Sequence, residues 1–321
     1  MKLFLPVFSI LLAAAFASEA EPGAPAGKAE TTTPQPERKS VEKPPDLAPG
    51  VKPAPQFLTA ELKAAAELAQ AGRLMDAEHL AAGVKLPTHR KFTLSAPSQT
   101  RLSGREIAAR AAAGYVRVGW YYHCSECGNW HINVSGGYAI APDAVATACH
   151  VLEPPPKMRI GEGYPIAVRG ESEVIPVLEV VVADKDADTA VLRLGASNLA
   201  PLALSDDGRV GDTVFCLSDP HGVRGYFSSG IINRFFSIKP AAATDARFRR
   251  LNVSTDWAPG SSGAAVLDER GNVVGHVARI SSIFNDQHTS ETGEHPVARP
   301  ATLINLHEAV PAASVLAAIK N

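Results

Sequence analysis

The sequence has little charge of one sign. Across 321 residues, 31 Lys and Arg face 33 Asp and Glu, a formal net charge of -2. No strong field results, which argues against nucleic acid or an anionic membrane surface as the main partner. Long apolar runs are missing after the first twenty residues, so nothing downstream reads as a membrane span. No cysteine lies near that first apolar run, which argues against a lipid anchor there. Large apolar side chains are almost absent between Glu21 and Gln56. Such a stretch cannot bury enough surface to offset chain entropy and reads as a disordered tether. A second C-x-x-C is lacking, so the pair at Cys124 and Cys127 is not a complete four-ligand zinc signature.

What is present begins with an export signal. Lys2 precedes the apolar core Leu3 to Phe16, and small-residue cleavage patterns follow at Ala15 to Ala17 and Ser18 to Ala20. The expectation is a cleaved, exported protein, periplasmic or extracellular, with no stable membrane insertion afterwards. At 45% hydrophobic and 20% charged residues, the chain has material for a sizeable core.

Three zones follow the tether. Leu58 to Val84 is Ala- and Leu-rich at helical spacing and is interrupted by Gly72. Ser103 and Glu106 have capping-box spacing, predicting a helix that ends near Gly114. Short alternating runs then recur about every ten residues, among them "YVRVGWYY", "WHINV", "TAVLRL", "DTVFCL" and "NVVGHVARI". Many short strands punctuated by Gly, Pro, Asn and Asp predict an all-β barrel or sandwich. A terminal helix is expected over "HEAVPAASVLAAIKN", with Pro311 near its first turn. The expected boundaries are a signal peptide at 1–20, the tether at 21–56 and a helical region at 57–113. Two β units follow at 114–198 and 199–306, and a helix at 307–320.

Within the β region, "ATACHVL" carries His150, "DKDADTAVLRL" carries Asp188 and "PGSSGAAV" carries Ser261 and Ser262. The order His, Asp, Ser is one of three known for triads of these types. A serine hydroxyl needs an imidazole to take its proton. The imidazole needs a carboxylate to fix its tautomer and stabilise its charge. The tetrahedral intermediate then needs N–H donors for its oxyanion.

Four segments, taken together, resemble trypsin-like serine peptidases, especially their HtrA-like branch. "GYAIAPDAVATACHVL" is similar to that branch's strand ending in T-A-x-H-V. "VVVADKDADTAVLRL" is similar to D-x-x-x-D-I-A-L-L, "VFCLSDPHGVRGYFSSGIIN" to V-x-x-I-G-x-P-x-G…G-I-V, and "STDWAPGSSGAAVLDERGNVVG" to T-D-A…P-G-x-S-G-G-P. The resemblance runs from about Tyr115 to Ile280. It implies two six-stranded antiparallel β-barrels with the triad between them. His150 would be the general base, Asp188 the orienting carboxylate and Ser262 the nucleophile, with oxyanion N–H groups from Gly260 and Ser262. The G-x-S-G spacing selects Ser262 over Ser261. The sequence departs at Ala264 and Ala265, where relatives carry Gly and Pro, and no PDZ-like segment is expected after the barrels. The implied activity is peptide-bond hydrolysis of a polypeptide substrate, with no cofactor. The alternative is a catalytically inactive relative serving as scaffold or protein-binding module.

Other residues carry open readings. Asp256, six residues before Ser262, sits where trypsin carries its S1 aspartate; it also aligns with the T-D of HtrA-like relatives, where it would be structural. His276 and Arg279 either approach the substrate cleft or belong to a surface strand. Cys124 and Cys127 read as a disulfide, as packed thiols, or with His131 as metal ligands. Cys149 and Cys216 are expected as buried free thiols in strands of different barrels. "DKDADT" imitates the start of a calcium loop, but Thr189 and Gly195 stand where Gly and Glu are required.

Overall fold

The alanine-rich zone folds as short helices because its apolar residues recur on one face and its breaks are clear. In this computed structural model, residues 54–196, 198–284 and 302–320 are described. The expected signal peptide and most of the expected tether lie outside them. Helix α1 spans Ala54–Gln70, so residues 54–56, expected in the tether, begin a helix instead. Pro55 in a first turn costs nothing, since that N–H has no helical acceptor. Beyond α1, Gly72 takes φ +63° and donates to the Ala69 carbonyl (3.0 Å), a left-handed stop that glycine accepts freely. Helix α2 spans Ala77–Lys85 with Asp76 as its N-cap, accepting from His79 N (2.8 Å). Helix α3 spans Gly104–Gly114, and its capping box forms as the spacing predicts. Glu106 N donates to Ser103 Oγ and Ser103 N donates to the Glu106 carboxylate.

The first β unit contains β1 (Val116–Cys124), β2 (Trp130–Ser135), β3 (Tyr138–Ala141), β4 (Ala144–Thr147), β5 (Met158–Arg169), β6 (Glu173–Asp184) and β7 (Thr189–Leu194). They form an antiparallel sheet in the order β2-β1-β5-β6-β7-β4-β3. Its ends approach each other: Tyr115 bridges Tyr138, and Val116 N donates to the Gly137 carbonyl (3.0 Å). Six strands thus curl toward a barrel through one bridge, and β2 extends beyond as a hairpin arm of β1. The second unit contains β8 (Thr213–Ser218), β9 (Tyr226–Ser237), β10 (Arg249–Val253), β11 (Ala265–Asp268), β12 (Val273–Phe284) and β13 (Thr302–Pro311). These six close into a barrel in the order β10-β13-β12-β11-β8-β9. The core is all-β, in a double-barrel arrangement.

Residues 307–311, expected as the start of the last helix, complete β13 instead. His307 pairs with Val253 and Ala309 with Leu251 across the barrel closure. The run "HEAVP" buries Ala309 and Val310 completely, which a strand in a closed barrel achieves. Helix α4 follows at Ala312–Lys320.

The two β units share a core. Tyr138 and Ile140 of β3 pack in one cluster with Leu267, Val273 and Val315. Helix α3 adds Ile107 and Ala111 to it. Helix α1 covers the outer face of the first sheet through Ala65, packed with Tyr121, Ile166 and Val168. It also carries Glu61 into the interior, 1% exposed, with its carboxylate on Arg117 (2.5 Å) and Arg224 (2.7 Å).

Candidate active site

Strand β4 ends at Thr147, and the chain turns into a 3-10 segment, Cys149–Leu152, that presents His150 outward. Cys149 therefore lies in this turn and not in a strand. Its thiol is buried, and burial pushes it up to about 12. Cys216 is a buried free thiol in β8, likewise pushed up to about 12 by burial.

Asp188 closes the tight turn between β6 and β7. Its φ is +52°, a left-handed conformation that costs a non-glycine residue on the order of 1 kcal/mol or more and that Asp tolerates better than most. The turn is held from several sides. Ala187 N donates to Asp184 Oδ1 (2.9 Å), and Asp188 N to the Lys185 carbonyl (3.3 Å). The second barrel adds two clamps. Arg250, 5% exposed on β10, donates to the Asp186 carbonyl (3.1 Å), and His276 Nε2 on β12 donates to the Asp188 carbonyl (3.0 Å).

The carboxylate so fixed receives His150 twice. His150 Nδ1 lies 3.0 Å from both Oδ1 and Oδ2, and His150 N donates to Oδ1 (3.1 Å). Because the carboxylate only accepts, Nδ1 carries the proton, and Nε2 is left to take one. The Asp188 hydrogen bond holds the His150 imidazolium above its ordinary pKa, against the opposing effect of burial. Burial alone would raise Asp188, but the bonds and charge of His150 outweigh it and hold the carboxyl below its ordinary range.

His276 and Arg279, both expected either near the cleft or on a surface strand, separate. His276 is fully buried, and burial drives its pKa down to about 4, so it is neutral and supports Asp188 from behind. Arg279 is exposed and paired with Glu308 (2.8 Å) on β13. Neither Arg250 nor the support role of His276 is legible in a local motif, because both act across the barrel interface.

The "APGSSGAAV" loop enters β11. Its two serines differ. Ser261 is fully buried, with its Oγ accepting from Ala258 N (3.4 Å), while Ser262 is half-buried. Gly260 takes φ +100° and Gly263 φ +81°. A side chain at Gly263 would run into Thr147 Oγ1 and the Gly136 carbonyl, and would lie 2.8 Å from Ala148 N. This close approach seats the Ser262 loop directly on the residues that lead into the His150 turn. Thr147 Oγ1 also donates to the Gly136 carbonyl (2.7 Å), tying that floor together.

Ala264, which replaces the second glycine of the familiar pattern, is buried and has no positive φ. The loop accommodates its methyl because the opposing residue is Gly136, where any side chain would meet Ala264 Cβ at 2.6 Å. Among the described residues, neither Gly260 N nor Ser262 N donates to a backbone carbonyl. The turn Pro220–Gly222 backs the loop, with His221 N donating to the Pro259 carbonyl (2.8 Å).

Asp256 is exposed, its carbonyl accepting from Ser228 Oγ (3.0 Å), between buried Thr255 and Trp257. An apolar cavity of about 370 Å³, lined by Leu80, Trp120, Cys149 and Leu152 among others, lies beside the His150 turn. At the far tip of the β1–β2 hairpin, Cys124 and Cys127 are both free thiols in this structure. Cys127 Sγ lies 3.0 Å from His131 Nε2.

Residues 135–275, under half of the chain, match the family model of the trypsin-like peptidase domain. The chain also resembles curated proteases over part of its length. It is 32% identical over 123 residues to the serine protease PepD of Mycobacterium tuberculosis, covering 36% of this chain and 26% of that protein. It is 34% identical over 103 residues to the chloroplastic Protease Do-like 1 of Arabidopsis thaliana, covering 30% of this chain and 23% of that protein. It is 28% identical over 159 residues to a probable periplasmic DegP-like endoprotease of Halomonas elongata, covering 46% of this chain and 30% of that protein. The chain thus spans under a third of the curated relatives it matches. Among solved structures, the HtrA-type protease AlgW with a decapeptide shares the fold, with TM-score 0.50 and 19% identity over 68% of each chain.

Proposed function

We propose that the protein is an exported serine endopeptidase acting through an acyl-enzyme. Ser262 attacks the scissile carbonyl while His150 Nε2 takes its proton. Asp188 keeps the imidazole in the Nδ1–H tautomer and stabilises the imidazolium. The N–H groups of Gly260 and Ser262 receive the oxyanion. His150 then returns its proton to the leaving amine, and water repeats the sequence to release the acid.

One observation carries the reading: the His150–Asp188 pair is bonded through Nδ1, with the carboxylate turn clamped by the second barrel. Burial supports the choice of serine, since Ser261 is enclosed by its own loop and Ser262 is not. Export is supported by the apolar leader in the sequence and by the periplasmic name of the DegP-like relative. No helix among the described residues is long and apolar enough to cross a membrane.

A fluorophosphonate probe tests the proposal. Labelling is expected in the wild type and is expected to vanish in Ser262→Ala and His150→Ala, with peptidase turnover falling by roughly 10⁶-fold. Folded wild-type protein that takes no label would instead support a scaffold or binding module. Label retained in Ser262→Ala but lost in Ser261→Ala would reassign the nucleophile.

A further inference from the structure

The β1–β2 hairpin tip holds a side-chain cluster that the proposed peptidase chemistry does not use. Cys124 ends β1, Cys127 sits in the turn and His131 lies on β2. His131 is paired with Tyr122, two residues before Cys124 on the same strand face, so Cys124 and His131 are diagonal neighbours across the hairpin. The turn folds Cys127 back over them. Gly128 takes φ +70° and donates to the Cys124 carbonyl (3.1 Å), while Cys124 N donates to the Asn129 carbonyl (2.8 Å). The two Sγ atoms and a ring nitrogen of His131 all lie within 4.8 Å of one another. Cys124 is buried, His131 half-buried and Cys127 exposed, so the cluster has a closed floor and an open side.

We propose that Cys124, Cys127 and His131 bind a zinc ion at this hairpin tip. Two thiolates and one imidazole are a soft-to-borderline donor set that suits Zn²⁺ and disfavours Mg²⁺ and Ca²⁺, which want oxygen ligands. Three protein ligands leave one tetrahedral position for water. Binding expels two thiol protons to solvent, and two thiolates balance the charge of the ion. His123 is not the fourth ligand. Its Nε2 donates to the Gly128 carbonyl (2.8 Å), and its Nδ1 lies 2.6 Å from the Glu162 carboxylate. The ion would join the end of β1, the turn and β2. It would act as a clip on the arm that extends beyond the six curled strands, far along the chain from Ser262.

The test uses the full chain, reduced and stripped with a chelator, then titrated with Co²⁺ and back-titrated with Zn²⁺. The expected result is one equivalent of Co²⁺ giving a thiolate charge-transfer band and tetrahedral d–d bands, both abolished by Zn²⁺. Cys127→Ser and His131→Ala should weaken Zn²⁺ affinity by more than about tenfold, with circular dichroism unchanged. Cys127 is exposed and at a turn, so its variant tests binding without disturbing a core. Three results would overturn the proposal. One is reduced, folded protein that gives no cobalt bands. Another is bands unchanged in both variants. The third is protein purified in the presence of zinc with Cys124 and Cys127 joined as a disulfide.

Discussion

Acidification should weaken this fold through one buried imidazole. His276 is fully enclosed between the barrels, beside Tyr138 and under the Asp188 turn. Burial drives its pKa from 6.5 to about 4, with the nearby Arg250 and His150 opposing its charge and Asp188 favouring it. The folded pKa is therefore depressed below the unfolded one. Around pH 5 the unfolded chain binds a proton at this position and the folded chain does not, so stability falls as pH falls through that window. One pKa unit is worth about 1.4 kcal/mol, so the full span corresponds to about 3 kcal/mol, of which about 2 kcal/mol is lost between pH 7 and pH 5. Most carboxylates remain ionised across that interval. His276→Gln keeps an N–H donor for the Asp188 carbonyl and cannot titrate. Urea unfolding at pH 7 and pH 5 should show the wild type losing about 2 kcal/mol more than the variant. The His150–Asp188 pair is present in both proteins and largely cancels in the comparison. Equal losses in the two proteins would refute the argument that His276 is buried in its neutral form.

Activity should depend on pH through His150, which must be neutral to act as base. Its pKa is raised by the Asp188 hydrogen bond, so the rising limb of kcat/KM should centre above 6.5, and Asp188→Asn should cut kcat by roughly 10⁴-fold. The same shift makes the pair's stabilisation present below pH 6.5 and lost as pH rises through the folded His150 pKa. Glu61→Gln removes the nearer of two carboxylates on Arg117, 4% exposed, leaving Asp219 at 3.7 Å, and should destabilise by about 3–5 kcal/mol in chemical denaturation. A loss below about 1 kcal/mol would mean that Asp219 and the Gly170 carbonyl compensate. Gly263→Ala combines positive φ with a backbone collision and should abolish fluorophosphonate labelling even where the protein still folds; labelling at the wild-type rate would contradict the tight seating of the loop on Thr147.

Local signals carried much of this structure. Helix α3 follows from Ser103 and Glu106, whose capping box is complete within four residues, and Gly72 separates α1 from α2 as its free left-handed backbone allows. The residue types proposed for the triad, and their order, are readable in sequence because each sits in a short motif. The end of β13 was not legible. "HEAVP" has no local preference strong enough to resist either state, and pairing with Leu251 and Val253 decided for strand. The burial of Ser261 against Ser262 likewise depends on how the loop seats over Gly136 and Thr147.

The sequence by itself determined an all-β double unit behind a short helical region, and the His150, Asp188 and Ser262 candidates within it. Only the tertiary structure decided what holds them. Arg250 and His276 reach the Asp188 turn from strands 62 and 88 residues away in the chain, and Gly136 makes room for Ala264 from the opposite barrel. Such partners leave no periodicity or spacing to read, because the contact is made by packing two barrels and not by neighbouring positions in one element. The same holds at the hairpin tip, where "HCSECGNWH" left disulfide, thiols and metal open. The cross-strand register turns Cys124, Cys127 and His131 toward a common point.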